Sequence, residues 1–169
     1  GIDLDKIFSI CKNFRKFNNN IPLILMGYYN IIFHYGIKNF VNECVANGVD
    51  GLIIVDLQPE EDSELISLIK NTDLKFIRLI TPTTNKKRLQ QILSNSSGFL
   101  YYVTITGITG QHSANMEELN SSIKYIKQKT NLPIVSGFGI KSPKQAREAC
   151  KISEGVVVGS SIIKIIEEN

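Results

Sequence analysis

Short apolar runs alternate along this chain with segments in which apolar residues recur every three or four positions. Runs of this kind are typical of parallel strands that are buried on both faces, and the spacing between them is typical of one-sided helices. The sequence therefore predicts one βα array with six strands, at 21–28, 51–56, 76–81, 99–104, 133–138 and 155–159.

Capping residues mark two helix starts. Asp3 precedes the first helical pattern, at the beginning of the sequence. Ser142, Pro143 and Gln145 combine a hydroxyl cap, a proline at the first helical position and a capping-box partner. Gly48 lies where another helix should end. We expect helices to begin after Asp3 and after Ser142.

Parallel strands joined by helices form either a closed barrel or an open doubly wound sheet, and periodicity does not separate the two. The sequence has no G-x-G-x-x-G after its first strand and no P-loop pattern. Glycine-rich turns instead follow the last three predicted strands, at Thr106-Gly107-Ile108-Thr109-Gly110, Ser136-Gly137-Phe138-Gly139 and Val158-Gly159-Ser160-Ser161.

These turns predict an anion site. In (β/α)8 barrels, phosphate is frequently held by the loops after strands seven and eight and by the N-terminus of a short helix. Glycines let backbone N–H groups approach an anion closely. The six strands would then be strands three to eight. The alternative is that the glycines only relieve crowding at tight turns.

Composition excludes several classes of function. The 19 Lys and Arg residues against 16 Asp and Glu are scattered, which disfavours nucleic acid as a partner. No apolar run approaches the roughly 18 residues of a membrane span.

Cys11, Cys44 and Cys150 fall on predicted apolar helix faces, which indicates buried thiols in a reducing cytoplasm. His34 and His112 have no metal-ligand spacing around them, so we expect no metal.

Five stretches together resemble the alpha subunit of tryptophan synthase over essentially the whole chain. They are Leu25-Met26-Gly27-Tyr28-Tyr29-Asn30, Val55-Asp56-Leu57-Gln58-Pro59-Glu60-Glu61, Tyr101-Tyr102-Val103-Thr104 leading to Thr106–Gly110, Gly137-Phe138-Gly139-Ile140 and Val158-Gly159-Ser160. The resemblance implies an α/β fold, a (β/α)8 TIM barrel that is incomplete. Residues 1–169 would form a single domain with strands three to eight, lacking the first two βα units and the final helix.

The resemblance also implies an activity, the retro-aldol cleavage of indole-3-glycerol phosphate to indole and glyceraldehyde 3-phosphate in L-tryptophan biosynthesis. The alpha subunit uses no cofactor of its own, because pyridoxal phosphate belongs to the partner beta subunit of an α2β2 heterotetramer. Matching positions imply phosphate binding by Gly110, Gly139, Gly159 and Ser160, and substrate binding by Tyr28, Tyr101 and Phe138. Thr109 would help a mobile loop to close, and Asn30, Asp56 and Gln58 would face the beta subunit.

Two departures from the family pattern change these expectations. Gln58 stands where the family usually has proline, which predicts an altered contact with the partner. The family's catalytic glutamate and aspartate lie upstream of Gly1, so the resemblance assigns no catalytic residue within this chain, and we expect the chain as given to be inactive. Positioned carboxylates typically contribute about 100- to 10,000-fold per proton transfer.

Alternatives stay open at this point. The chain could be a catalytically inactive fragment that keeps the phosphate site and the elements that dock the beta subunit, or it could be another phosphate-binding barrel enzyme. Asp56 also has two interpretations. It ends a strand, where barrel catalysts often lie, and it precedes Glu60 and Glu61 in a context that equally fits a helix cap.

Overall fold

The computed structural model describes residues 3–103, 112–137 and 139–169, except for the side chains of residues 112–115. The strands are β1 (Ile24–Gly27), β2 (Gly51–Ile54), β3 (Lys75–Ile80), β4 (Leu100–Val103), β5 (Ile134–Gly137) and β6 (Gly155–Val157). The helices are α1 (Leu4–Phe17), α2 (Tyr29–Tyr35), α3 (Ile37–Ala46), α4 (Ser63–Ile69), α5 (Lys86–Ser94), α6 (His112–Lys127), α7 (Pro143–Ala149) and α8 (Ser160–Glu167). All six predicted strands are confirmed, each within two or three residues of its predicted bounds.

Each strand pairs in parallel with the next strand in sequence, in the order β1-β2-β3-β4-β5-β6. A doubly wound sheet reverses its strand order at a switch point, and this order has no reversal. The topology therefore favours the barrel class over the open sheet that periodicity left possible.

The described residues fall into two compact units. The first comprises Gly1–Ile77 and Ser94–Gly98, and the second comprises Arg78–Leu93 and Phe99–Asn169. Whether they form the single domain expected from the resemblance stays a prediction.

The core of the first unit packs α1, α3 and α4 against one face of its strands. The Phe8 ring lies 5.8 Å from the Phe40 ring and 5.9 Å from the Tyr35 ring, at tilted angles that favour aromatic contact. The buried set includes Phe8, Cys11, Phe40, Val41, Cys44, Leu52, Ile54, Leu65 and Phe76. These are the apolar positions on which the helical periodicity rested.

Arg15 joins three segments of this unit. Its guanidinium donates to the carbonyl oxygens of Gly48 (2.7 Å), Ile21 (2.8 Å) and Asn18 (3.2 Å), and it pairs with the Asp50 carboxylate. One planar side chain thus holds the end of α1, the turn before β1 and the turn after α3 together.

The core of the second unit packs α5 and α6 against β4 and β5. Its buried residues include Ile80, Leu89, Ile92, Leu100, Tyr102, Leu119, Ile123, Ile126, Ile134 and Ile140. At one edge of this core Glu154 accepts a hydrogen bond from the Ile134 N–H (2.8 Å) and pairs with Lys127. Desolvation raises the pKa of Glu154, but these partners outweigh it, and the pKa lies below its usual value.

The predicted capping residues lie at helix starts. The Asp3 carboxylate accepts the Lys6 N–H (2.9 Å), and the Ser142 hydroxyl accepts the Gln145 N–H (3.3 Å), with Pro143 as the first residue of α7. In a capping box the Gln145 side chain would accept the N–H of the N-cap residue, Ser142. Here it accepts the N–H of the preceding residue, Lys141, at 2.8 Å.

Two of the three cysteines are buried thiols, as predicted, and the third prediction is wrong. Burial raises the pKa of Cys44 to about 12 and also raises the pKa of Cys11, so both stay protonated at neutral pH. Cys150 is exposed, because α7 ends at Ala149 and Cys150 is the residue that caps the helix. None of the three forms a disulfide.

None of the helices described here has the length and apolar content needed to cross a membrane. Within the same described ranges, no group of three or more His, Cys, Asp or Glu side chains is arranged to hold a metal ion.

Candidate functional site

In the second unit, the loop after β5 meets the start of α8. The Ser161 hydroxyl, in the first turn of α8, donates to the Ile140 carbonyl oxygen at 2.8 Å. The Ile140 side chain is buried in the core of the unit and anchors the loop to that core. Two of the glycine-rich turns that the sequence singled out are therefore brought together by a direct hydrogen bond.

Both turns present bare backbone to space that no other described residue fills. A methyl group added at Gly139 or at Gly159 would find no atom of the described residues within 4 Å. Gly139 has a φ of 61°, which side-chain-bearing residues seldom adopt. The Gly159 carbonyl accepts the first bonds of α8, from Ile162 (3.0 Å) and Ile163 (3.2 Å). The amides of Ser160 and Ser161 precede these donors, and such amides have no partner within their own helix.

This arrangement suits an anion. Backbone amides at a helix start carry a partial positive charge from the helix dipole, and they can donate directly to phosphate oxygens. The predicted phosphate residues Gly139, Gly159 and Ser160 lie on these two turns. Among its described residues, the second unit thus brings open glycine backbone and a helix start together on two joined turns.

Gly137 differs from its two neighbours in the site, because its missing side chain leaves room for Tyr101. A Cβ at Gly137 would lie 2.6 Å from the Tyr101 hydroxyl oxygen and 2.7 Å from its Cε2 atom. The aromatic ring therefore rests on the backbone of β5, two residues before Gly139. Burial raises the pKa of Tyr101, so its phenol is neutral at pH 7.

Tyr102 lies on the opposite face of β4, because successive side chains of a strand alternate. It is only 1% exposed and belongs to the core of the second unit. Burial raises its pKa, against a smaller lowering from a hydrogen bond to Ser122. Of the two tyrosines, Tyr101 is the one on the face that carries Gly137.

In the first unit, Tyr28 follows β1 and is 58% exposed. It lines a mainly apolar groove of about 150 Å³, together with residues of α1, β1, β2, α2 and α3. The groove residues include Leu4, Ile7, Leu25, Met26, Ile31, Phe40 and Ile53. An exposed aromatic ring at the end of a strand is a suitable wall for an apolar ligand.

Asp56 lies in the next loop and caps α2. Its Oδ1 atom accepts the backbone N–H of Tyr29 at 2.7 Å, and Tyr28, the residue in the N-cap position, provides no side-chain cap. The sequence context of Glu60 and Glu61 indicated a cap of the helix that follows, but that helix, α4, has Asp62 in its N-cap position, and Asp56 instead caps the upstream helix α2. Asn30 lies exposed in the first turn of α2, and Gln58 lies exposed in a turn closed by the Glu61 N–H (3.0 Å).

Three of the predicted site residues, Thr109, Gly110 and Phe138, lie outside the described residues. Two residues that contribute to the described geometry were missed by the sequence reasoning. Ser161 belongs to the Val158-Gly159-Ser160-Ser161 turn, and the signal that could have identified it is that this turn contains a second serine. Gly137 was seen as a turn glycine, and no signal in the sequence indicates that it accommodates Tyr101.

Comparisons with known proteins agree with the sequence motifs. The model of a protein family described as tryptophan synthase alpha chain matches residues 1–169. The solved tryptophan synthase subunit alpha from Campylobacter jejuni is 33% identical, with a TM-score of 0.89, and the match covers 100% of this chain and 67% of that one. The subunit alpha from Legionella pneumophila str. Paris is 35% identical, with a TM-score of 0.86, and the match covers 97% of this chain and 60% of that one.

A third relative comes from the tryptophan synthase a2b2 complex of Pyrococcus furiosus. It is 33% identical, its TM-score is 0.89, and the match covers 99% of this chain and 68% of that one. This chain thus spans about 60% to 68% of the length of these solved chains. The likeness confirms the predicted fold class, an incomplete (β/α)8 barrel with strands three to eight. It also favours one family over the other phosphate-binding barrels. The chain belongs to the tryptophan synthase alpha chain family.

Proposed function

We propose that this chain provides the substrate-binding part of a tryptophan synthase alpha subunit. The reaction would be the retro-aldol cleavage of indole-3-glycerol phosphate to indole and glyceraldehyde 3-phosphate. The observation that carries the proposal is the pair of open glycine turns joined by the Ser161–Ile140 hydrogen bond, in a chain of this family.

The phosphate of the substrate would lie against these turns. The Ser160 and Ser161 amides would donate to its oxygens from the start of α8, and the Ser160 hydroxyl would add a donor. A charge at a helix N-terminus is typically stabilised by about 0.3–1 kcal/mol at exposed sites and by up to about 2 kcal/mol in partly buried ones. The open space at Gly139 and Gly159 would allow the anion to approach the backbone closely. By family resemblance Gly110 completes this set.

The indole and glycerol portions would lie against aromatic side chains. Tyr101 offers a ring fixed on Gly137 and a phenol that burial keeps neutral. Such a phenol does not act as a base at neutral pH, so we assign Tyr101 to binding. Tyr28 and Phe138 are assigned to substrate binding by resemblance alone.

The reaction needs a proton on the indole ring carbon and the removal of a proton from a glycerol hydroxyl. In the family these steps fall to two carboxylates, and neither has a counterpart among positions 1–169. We therefore propose that these 169 residues bind phosphate-bearing ligands but do not by themselves release indole. The proposal includes no metal or organic cofactor for the alpha subunit.

The partner would be a beta subunit that carries pyridoxal phosphate, in an α2β2 assembly. The Pyrococcus furiosus relative was solved in relation to an a2b2 complex. Asn30, Asp56 and Gln58 would form the contact face, and Asp56 would act there by fixing the start of α2, where Asn30 lies. We place the protein in the cytoplasm, because Cys11 and Cys44 are buried thiols without a disulfide.

Two measurements on the chain test the proposal. Titration calorimetry with glycerol 3-phosphate and with glycerol should detect binding of the phosphate ester alone. An assay of indole release from indole-3-glycerol phosphate, with and without the beta subunit, should detect no turnover by residues 1–169. Turnover at a rate typical of the family would show that acid–base groups exist within these residues, and failure to bind the ester would contradict the phosphate site.

A matched pair of variants distinguishes a loss of binding caused at the phosphate site from a loss caused by backbone strain. Gly139→Ala should weaken binding of glycerol 3-phosphate at least tenfold, because its methyl group would occupy the space proposed for the anion. Gly36→Ala imposes a similar backbone strain, since Gly36 has a φ of 89°, but it lies outside the candidate site. It should bind the ester as the wild type does. Equal losses in the two variants would assign the effect to strain.

A further inference from the structure

We infer that Ser161 is a positioning residue for the phosphate site, an inference that rests on the proposed function. Within residues 139–169, its hydroxyl links the first turn of α8 to the backbone of the loop after β5. It would hold the two turns at the separation that a single phosphate group spans.

The geometry supports this role in three ways. The bond has the ordinary length of an O–H···O hydrogen bond, 2.8 Å, and it is partly buried. The acceptor residue, Ile140, is 4% exposed and packed in the core, which gives the bond a fixed end. The donor lies in the first turn of an eight-residue helix whose N-cap, Gly159, provides no side-chain cap. Helix α8 therefore begins without a local cap, and Ser161 fixes its first turn to the neighbouring loop.

The consequence is a division of roles between two adjacent hydroxyls. Ser160 is exposed at the helix start and available to a ligand. Ser161 uses its hydroxyl within the protein, so it would act on the phosphate through Ile140 and the neighbouring Gly139, whose open backbone borders the site. An alanine at position 161 would leave the ligand donors in place but would free the two turns to move apart.

The test compares three variants of residues 1–169, with glycerol 3-phosphate as the probe. Ser161→Ala should bind the probe about two- to tenfold more weakly, the range expected when one hydrogen bond is lost. Ser161→Thr keeps the hydroxyl and should restore binding to within about twofold. Ser121→Ala is the matched control, because the Ser121 hydroxyl donates to the Glu117 carbonyl at 2.9 Å within a single helix. It should leave the affinity unchanged.

Amide hydrogen exchange without ligand gives a second, independent readout. In Ser161→Ala the amides of Gly139 and Ser160 should exchange faster, and in Ser121→Ala they should not. If the wild type and Ser161→Ala bind the probe equally, the role of Ser161 is overturned while the phosphate site stands. If the wild type does not bind glycerol 3-phosphate, the proposed phosphate site is overturned, and the positioning role of Ser161 is overturned with it. This holds even if hydrogen exchange shows that Ser161 links the two turns.

Discussion

Replacing Gly137 with alanine tests whether the Tyr101 ring is held against bare backbone. The added Cβ would lie 2.6 Å from the Tyr101 hydroxyl oxygen, 2.7 Å from Cε2 and 3.0 Å from Cζ. Ordinary carbon contacts are about 3.5–4.0 Å, so the ring or the strand must move by about 1 Å. Overpacking of this kind typically costs about 1–3 kcal/mol. We expect Gly137→Ala to lower the free energy of unfolding by that amount.

A double-mutant cycle isolates the contact. Tyr101→Leu removes the three ring atoms that the new methyl group would meet, so Gly137→Ala should cost little in that background. The coupling energy should lie at about 1–3 kcal/mol, as for residues in direct contact. Urea unfolding followed by circular dichroism measures each variant. Gly27→Ala is the control, because Gly27 also ends a strand and a methyl group there would meet no atom of residues 3–103, 112–137 or 139–169 within 4 Å.

The control should be neutral or stabilising by up to about 1 kcal/mol, since alanine restricts the unfolded chain. The contact also has a functional consequence, because a displaced Tyr101 ring would no longer form the same wall of the proposed pocket. Equal destabilisation by Gly137→Ala with tyrosine and with leucine at position 101 would refute the reasoning, because the cost would then arise from the backbone.

Three further predictions concern stability. Asp56→Ala should lower the free energy of unfolding by about 0.5–2 kcal/mol and speed amide exchange at Tyr29, whereas Asp56→Asn keeps an acceptor and should lose less. Arg15→Lys should cost about 1–3 kcal/mol in thermal unfolding, because an ammonium cannot reproduce the planar fork, while Arg147→Lys on an exposed helix face should change stability by less than about 0.5 kcal/mol. The pKa of Glu154 is lowered in the folded state, so its stabilisation is present above the usual pKa of a glutamate and is lost as pH falls through the lower folded value. Glu154→Gln should therefore show a smaller loss of stability between pH 7 and pH 3 than the wild type, and an equal loss would contradict the assignment.

The strands could be predicted from the sequence, and one helix could not, for a physical reason. Strand positions follow from continuous apolar runs, and these are buried wherever the sheet is covered by helices. Helix α2 was missed because it is seven residues long and buries Ile32 alone, so its apolar positions form no one-sided pattern. Its cap is Asp56, which lies 27 residues after the amide that it accepts. A cap that lies so far away in sequence cannot be predicted from the residues that neighbour the helix.

The candidate site shows a second limit of sequence reasoning. Gly137, Gly139 and Gly159 are all glycines of βα turns, and all three were expected to favour an anion. In the structure Gly137 accommodates a tyrosine ring, whereas Gly139 and Gly159 border space that is open as far as the structure describes the chain. The residue type predicts that something approaches the backbone closely, but only the fold determines whether that is a side chain of the same protein or space for a ligand.

Two pairs of neighbouring loops, those after β1 and β2 and those after β5 and β6, are each joined by a hydrogen bond from one loop to the other. After β1, the start of α2 is held by Asp56, which follows the neighbouring strand β2. After β5, the loop at Ile140 is held by Ser161, which follows the neighbouring strand β6. Neighbouring parallel strands end at the same edge of a sheet, so a polar side chain after one strand can reach the backbone after the other. Each loop is therefore positioned by the next βα unit, and a substitution in one loop should alter ligand contacts made by its neighbour.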